Sequence, residues 1–292
     1  MTPQLVDTVV RAALAEDAPW GDITSQLLIP AQAYATARLI AREPGVFSGG
    51  PVFAATMSVA DPRCAVELRV QDGERFETGE VLASVTGPAR AVLQAERVAL
   101  NLVQRMSGIA TMTASYVALV AGTSARVVDT RKTTPGLRAF ERHAVRCGGG
   151  HNHRFSLSDA VMAKDNHLAV LAASTGLSIT DALKGVRGQL SHTTHLEVEV
   201  DRIDQIEPVL AAGVDTIMLD NFTLDELREG VALVAGRAIV EASGNVSLDT
   251  VAAIAGTGVE IISVGALTHS VRSLDLGLDV DVDADEEAVV AP

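Results

Sequence analysis

LEVEVDRIDQIEPVLAAGVDTIMLDN, residues 196–221, decides the fold. With His195 it reads as a strand (HLEVEV, 195–200), a helix to about residue 211, and a second strand (TIMLD, 216–220). The rhythm continues through a helix to about 234, AIVEAS (238–243), a helix to about 255, and EIISVG (260–265). Strand ends fall near 200, 220, 243 and 265, roughly 20 residues apart, which is one βα unit each. RVVD, ending at Asp129, is a further short strand before them. Repeated βα units give a parallel sheet, either an open doubly wound sheet or a barrel. The open form favours a glycine fingerprint after its first strand. Neither G-x-G-x-x-G nor G-x-x-x-x-G-K-[ST] occurs, so the expectation is an α/β barrel.

In such barrels the chemistry sits at the C-terminal strand ends. Those ends carry Glu199 with Asp201, Asp220 with Asn221, Glu241 with Ser243, Gly244 and Asn245, and Gly265. Glu197 and Glu199 share one strand parity; Leu196, Val198 and Val200 share the other. The apolar set fits a helix layer, which turns the glutamates into the barrel. A buried carboxylate without a partner is costly, so cations or a metal are expected beside them. Asp220-Asn221 reads equally well as a helix cap. Ser243-Gly244-Asn245 and Val264-Gly265-Ala266-Leu267 lie where barrels often bind phosphate, although simple turn chemistry also accounts for each.

The cations are upstream. The chain is acidic, with a formal net charge of -14, yet residues 131–167 run the other way. Seven lysines and arginines (Arg131, Lys132, Arg138, Arg142, Arg146, Arg154, Lys164) face three acidic residues there, with His143, His151, His153 and His167. Pro135, Gly136 and Gly148-Gly149-Gly150 lie among them, and glycines let backbone N–H groups approach a ligand. The stretch predicts a pocket for a small anion ahead of a solvated basic face. His151, His153 and His167 as a zinc site rank low, because Arg154 and Lys164 repel a dication and no cysteine is suitably spaced. Glu199 and Asp220 suit Mg²⁺ better.

An acidic chain argues against nucleic-acid and membrane partners. Two cysteines, Cys64 and Cys147, make neither a disulfide framework nor a metal cluster. No long apolar run and no signal-peptide pattern appear, so a cytoplasmic location is expected. Residues 4–15 predict a helix with Leu5, Val9, Val10, Ala13 and Leu14 on one side. Residues 35–86 predict a small antiparallel or mixed sheet. Residues 89–106 predict a helix interrupted by Gly108, then a second helix over about 111–120. Most of its polar residues, Glu96, Arg97, Asn101, Gln104 and Arg105, read as solvated. From Asp279 on, acidic residues without a core pattern predict a tail.

DTRKTTPGLR, GGGHNHR, KDNH, EVEVD, LDNF, EASGN and SVGALTHS, in this order, resemble the motif series of the quinolinate phosphoribosyltransferase family, also called nicotinate-nucleotide pyrophosphorylase (carboxylating). The resemblance runs from Glu16-Asp17 to about Leu276. It implies an N-terminal open α/β sandwich and an incomplete α/β barrel. The expected division is 1–108, joined by 267–280, then the barrel over 109–266 and an acidic tail over 281–292. It implies decarboxylating transfer of phosphoribose from phosphoribosyl pyrophosphate to quinolinate, with Mg²⁺, in a homodimer. Arg131, Lys132, His153, Arg154 and Lys164 match residues that line the family's site, and His167 completes KDNH. Glu199 and Asp220 match the residues near ribose and metal; with Lys132 they form the expected catalytic set. Ser243, Gly244, Asn245, Gly265 and His269 match the 5-phosphate region, and Arg97 matches an arginine given to the neighbouring subunit. Two departures stand out: His143 where tyrosine is usual, and SLSDAVMAKDNH where LIKDNH is common. A related molybdenum-locus family lacks KDNH, so residues 164–167 discriminate against it. Two other readings are a transferase for a monocarboxylate such as nicotinate, and a non-catalytic anion-binding protein on the same barrel.

Overall fold

A computed structural model describes residues 1–281. The strands, in chain order, are β1 (Tyr34–Ala41), β2 (Gly45–Val46), β3 (Ala65–Leu68), β4 (Arg75–Phe76), β5 (Val81–Pro88), β6 (Arg126–Val128), β7 (Val161–Ala163), β8 (Leu196–Val200), β9 (Thr216–Asp220), β10 (Ile239–Ser243), β11 (Ile261–Ser263) and β12 (Leu276–Asp281). The helices are α1 (Pro3–Asp17), α2 (Ile23–Leu28), α3 (Gly50–Ala60), α4 (Ala89–Leu119), α5 (Arg138–Cys147), α6 (Asp165–Thr175), α7 (Ile179–Arg187), α8 (Ile206–Leu210), α9 (Leu224–Val234), α10 (Val251–Ala255) and α11 (Ala266–His269). Two compact units result. One contains Met1–Thr111, Pro135–Gly148 and the chain from Val271; the other contains Met112–Thr134 and Gly149–Ser270.

The first unit is built on an antiparallel sheet in the order β12-β1-β5-β3. Period-two burial explains β1: Ala37, Leu39 and Ala41 are buried while Arg38 is exposed. α1 buries Val6, Val10 and Leu14, one turn apart; Val10 and Leu14 belong to the expected side, whereas Leu5 is exposed and Val6 takes its place. α4 is a single helix of 31 residues, and Gly108 does not break it. A Cβ at Gly108 would stand 2.2 Å from the Arg272 carbonyl oxygen, so this glycine serves close approach of a neighbouring segment. Two residues expected in solvent are engaged instead. Gln104 donates to the Leu276 carbonyl at 2.6 Å, and the Arg105 Nε donates to Glu141 at 2.8 Å. Glu141 is 1% exposed, so Arg105 neutralises a buried carboxylate. Asp279, expected in the tail, lies in β12 opposite Arg38 of β1, because Leu276 and Leu278 turn inward on either side of Gly277. The rest of the expected acidic tail, from residue 282, lies outside the described residues.

The second unit is the incomplete α/β barrel. Its six strands run parallel in the order β6-β11-β10-β9-β8-β7. Among the described residues no ladder closes β6 onto β7; a single parallel bridge joins Val128 to His151. Leu196, Val198 and Val200 are buried, and the glutamates between them take the other face. Residues in register then form layers. Glu199, Met218 and Glu241 are neighbours across β8, β9 and β10, and Asp220 lies beside Ser243 one step nearer the strand ends.

Candidate active site

A cavity of about 560 Å³ opens at the C-terminal ends of these strands. Five of the expected cations and imidazoles line it: Arg131, Lys132, His153, Arg154 and Lys164. So do the expected Glu199, Asp220, Ser243, Gly244 and Asn245.

Asp129, fully buried at the end of β6, builds the first wall. It accepts hydrogen bonds from the Asn152 side chain at 2.5 Å and the His153 backbone N–H at 2.8 Å. This fixes the turn that carries His153 and Arg154. His153 Nε2 then lies 3.2 Å from Glu197 and 3.5 Å from Glu241, both nearly fully buried. Burial disfavours the imidazolium, but hydrogen bonds and charge from the two carboxylates favour it more, and its pKa is pushed up to about 10. The Arg154 N–H also approaches Nδ1 at 2.7 Å, a contact that suits the neutral ring; two buried carboxylates with one cation between them outweigh it. Burial raises the Glu241 carboxyl above the usual carboxylate range, and Glu197 adds to this. One oxygen on each glutamate, Oε1, has no hydrogen-bond partner.

The second wall is cationic. Arg154 donates to the Ala160 carbonyl at 3.0 Å. Burial, and then the charge of Arg131, lower its pKa. The buried Nε of Arg131 has no partner. Two guanidiniums held together, partly desolvated, make a receptor for a planar carboxylate. Lys164 donates to Glu199, so a cation of the basic segment and a strand-end carboxylate are paired with each other. Lys132 is exposed. Its carbonyl accepts from Thr268 at 2.8 Å, and its side chain lies against Gly265, where a Cβ would stand 3.1 Å from Lys132 Cδ and 2.9 Å from His269 Nε2.

The rim is a backbone lock. Asn221 and Asn245 adopt left-handed conformations, with φ of 59° and 50°. The Asn221 N–H donates to the Ser243 carbonyl at 2.9 Å, and the Asn245 amide donates to Asn221 Oδ1 at 3.1 Å. Gly244 has φ 96°, and a Cβ there would stand 2.2 Å from Asn221 Oδ1. The capping alternative for Asp220 falls away: Thr223 caps α9, in a capping box with Glu226. Asp220 is left to the cavity.

Some expected residues do not line the cavity. Arg97 is exposed on α4 in the other unit. His167 accepts from the Lys164 N–H at 3.0 Å and borders a neighbouring hollow. Gly265 and His269 border the site only through Lys132. His151, His153 and His167 do not come together as a metal site; among the described residues His153 groups with Glu197 and Glu241 instead. Thr130, Met162, Met218, Asn221, Glu241 and Ser263 also line the cavity. Strand parity points to three of them: Met218 shares it with Asp220, Glu241 with Ser243, and Ser263 with Ile261 and Gly265.

Residues 22–107 match the family description "Quinolinate phosphoribosyl transferase, N-terminal domain", and residues 109–279 match "Quinolinate phosphoribosyl transferase, C-terminal domain". The chain is 45% identical over 280 residues to the nicotinate-nucleotide pyrophosphorylase [carboxylating] of Mycobacterium leprae, covering 93% of this chain and 95% of that protein. It is 40% identical to a mitochondrial quinolinate phosphoribosyltransferase [decarboxylating] of Nicotiana tabacum, covering 94% and 82%. The solved nicotinate-nucleotide pyrophosphorylase of Francisella tularensis superimposes with a TM-score of 0.89 at 35% identity, covering 96% and 98%.

Proposed function

The chain belongs to the quinolinate phosphoribosyltransferase family, and we propose that its cavity divides that family's reaction as follows. The protein transfers phosphoribose from phosphoribosyl pyrophosphate to quinolinate, giving nicotinate mononucleotide, CO₂ and pyrophosphate in NAD biosynthesis. One observation carries the assignment of the acceptor. Burial, and then the nearby Arg131 charge, lower the Arg154 pKa, and Arg131 has a buried N–H without a partner. A dianion relieves both penalties.

Arg131 and Arg154 hold the two carboxylates of quinolinate, and Lys164 leaves Glu199 to join them. That transfer frees Glu199 beside Asp220. Breaking the bond from ribose C1 to pyrophosphate puts positive charge on the ribose. The two carboxylates stabilise it, and Lys132 neutralises the leaving pyrophosphate. The pyridine nitrogen attacks C1, and the cationic ring accepts the electron pair as the adjacent carboxylate departs as CO₂. Lys132 and Lys164 are the ammonium groups lining the cavity from which the resulting carbanion can take its proton. The rim at Ser243, Gly244 and Asn245, with Gly265 and His269 behind Lys132, takes the 5-phosphate.

Glu199 and Asp220 fit Mg²⁺, because both present carboxylate oxygens into a cavity that receives phosphates. Bound there, Mg²⁺ would screen the pyrophosphate charge. The working assembly is a homodimer in which Arg97 serves the neighbouring subunit's cavity. A cytoplasmic location fits the described residues, in which no helix is long and apolar enough to cross a membrane. The test is turnover with quinolinate and nicotinate side by side. Quinolinate should release pyrophosphate and nicotinate essentially none; equal rates would remove the dianion from the account.

A further inference from the structure

A second cluster of chemically competent side chains lies in the first unit. His143 and Cys147 are four residues apart on α5, so both project from one face of the helix. Asp72 meets that face from the turn before β4. His143 Nε2 is 2.7 Å from Asp72 Oδ2, and Cys147 Sγ donates to the same oxygen at 4.0 Å. One ligand atom from each residue lies within 4.8 Å of the others. The other carboxylate oxygen, Oδ1, accepts the backbone N–H groups of Gly49 and Gly50, each at 2.9 Å. The carboxylate is thereby oriented with Oδ2 directed at the imidazole and the thiol.

We infer that Asp72, His143 and Cys147 form a binding site for one divalent transition-metal ion of the zinc class, separate from the catalytic cavity. The ligand set is one thiolate, one imidazole and one carboxylate, the donor types zinc takes. Two ligands on a tetrahedral zinc stand about 3.3–3.5 Å apart, given bonds of about 2.0–2.3 Å. The pair at 2.7 Å must open by about 0.6 Å and the pair at 4.0 Å must close by about 0.5 Å. The imidazole and thiol are partly exposed, so rotation about their own side-chain bonds supplies these shifts. Three protein ligands leave the fourth position for water, and the two glycine N–H groups are the outer contacts that fix a metal-bound carboxylate.

The backbone is shaped for this contact. Gly73 adopts φ 94°, and a Cβ there would stand 3.4 Å from the Cys147 carbonyl oxygen. The turn therefore runs close beside the end of α5. That end is also the negative pole of the helix, which favours a cation. The metal would clip α5 to the 71–74 turn.

Cobalt is the probe, because a thiolate ligand gives Co²⁺ an intense near-ultraviolet charge-transfer band. Metal-free protein should take up one equivalent of Co²⁺ with that band and with visible bands of tetrahedral intensity, and Zn²⁺ should abolish both. Cys147→Ala should lose the near-ultraviolet band, His143→Ala should weaken binding at least tenfold, and Cys64→Ala should behave as wild type. In wild type, Zn²⁺ should also slow modification of Cys147 by a disulfide reagent. No charge-transfer band in wild type, or a band that persists in Cys147→Ala, would overturn the site. Full reactivity of Cys147 at saturating Zn²⁺ would do the same without any variant.

Discussion

The Nε2 of His153 lies 3.2 Å from the Oε2 of Glu197, which is 4% exposed at the barrel floor. With Glu241 on its other side, this imidazole is grouped, among the described residues, with two buried carboxylates. Removing it should leave both without this charge-assisted contact. His153→Ala should therefore destabilise the protein by about 3–5 kcal/mol at neutral pH, read by urea unfolding. The sign of the pH dependence follows from the pKa, raised from 6.5 to about 10. The stabilisation is complete below about pH 6.5 and is lost as pH rises through about 10. The gap between wild type and variant should narrow over that window; a gap that widens would show that the ring is held neutral.

Gly244 tests the rim. An alanine there faces a left-handed φ of 96° and a Cβ 2.2 Å from Asn221 Oδ1. The conformation alone costs about 1–2 kcal/mol. Relief of the clash moves Asn221 and, with it, Asp220. Gly244→Ala should raise the KM for phosphoribosyl pyrophosphate more than that for quinolinate. Equal changes in the two KM values would place the 5-phosphate elsewhere.

The dianion wall is tested by calorimetry. Arg154→Ala and Lys164→Ala should each weaken quinolinate binding by about 1.5–3 kcal/mol, roughly 10- to 150-fold. Phosphoribosyl pyrophosphate binding should change far less. Unchanged quinolinate affinity in both variants would remove these residues from the acceptor site.

Much of this site is legible in the sequence. The 20-residue spacing of strand ends is a property of βα units, and the parity of Glu197 and Glu199 follows from strand geometry, so both appear in one sequence. The lysines, arginines and carboxylates that line the cavity lie in contiguous motifs. What escaped was set by partners distant in the chain. Gly108 reads as a helix breaker until the Arg272 carbonyl is seen against it. Arg105 reads as solvated until Glu141 is found buried beside it. Glu241 is visible as a strand-end carboxylate in EASGN, but its grouping with His153 and Glu197 is not, because those residues come from distant segments. Cys147 and Asp72 are 75 residues apart, a separation that no spacing rule spans.

The assignment of Arg97 has its own test. Arg97→Ala and Lys164→Ala should each be nearly inactive as purified homodimers. Dissociated and reassociated together, they should form heterodimers with one doubly defective cavity and one intact cavity, and activity should return on mixing. Heterodimers seen by mass spectrometry without recovered activity would confine Arg97 to its own subunit.

The central claim is that one cavity couples transfer of phosphoribose to loss of a carboxylate. Counting both products in the same vessel tests it most directly, using quinolinate labelled in the carboxylate next to the ring nitrogen, with Mg²⁺ and phosphoribosyl pyrophosphate. Wild type should release one labelled CO₂ for each pyrophosphate, and Glu199→Gln should lower both together by about 100-fold or more. Pyrophosphate released without labelled CO₂, or wild-type turnover in Glu199→Gln, would contradict it.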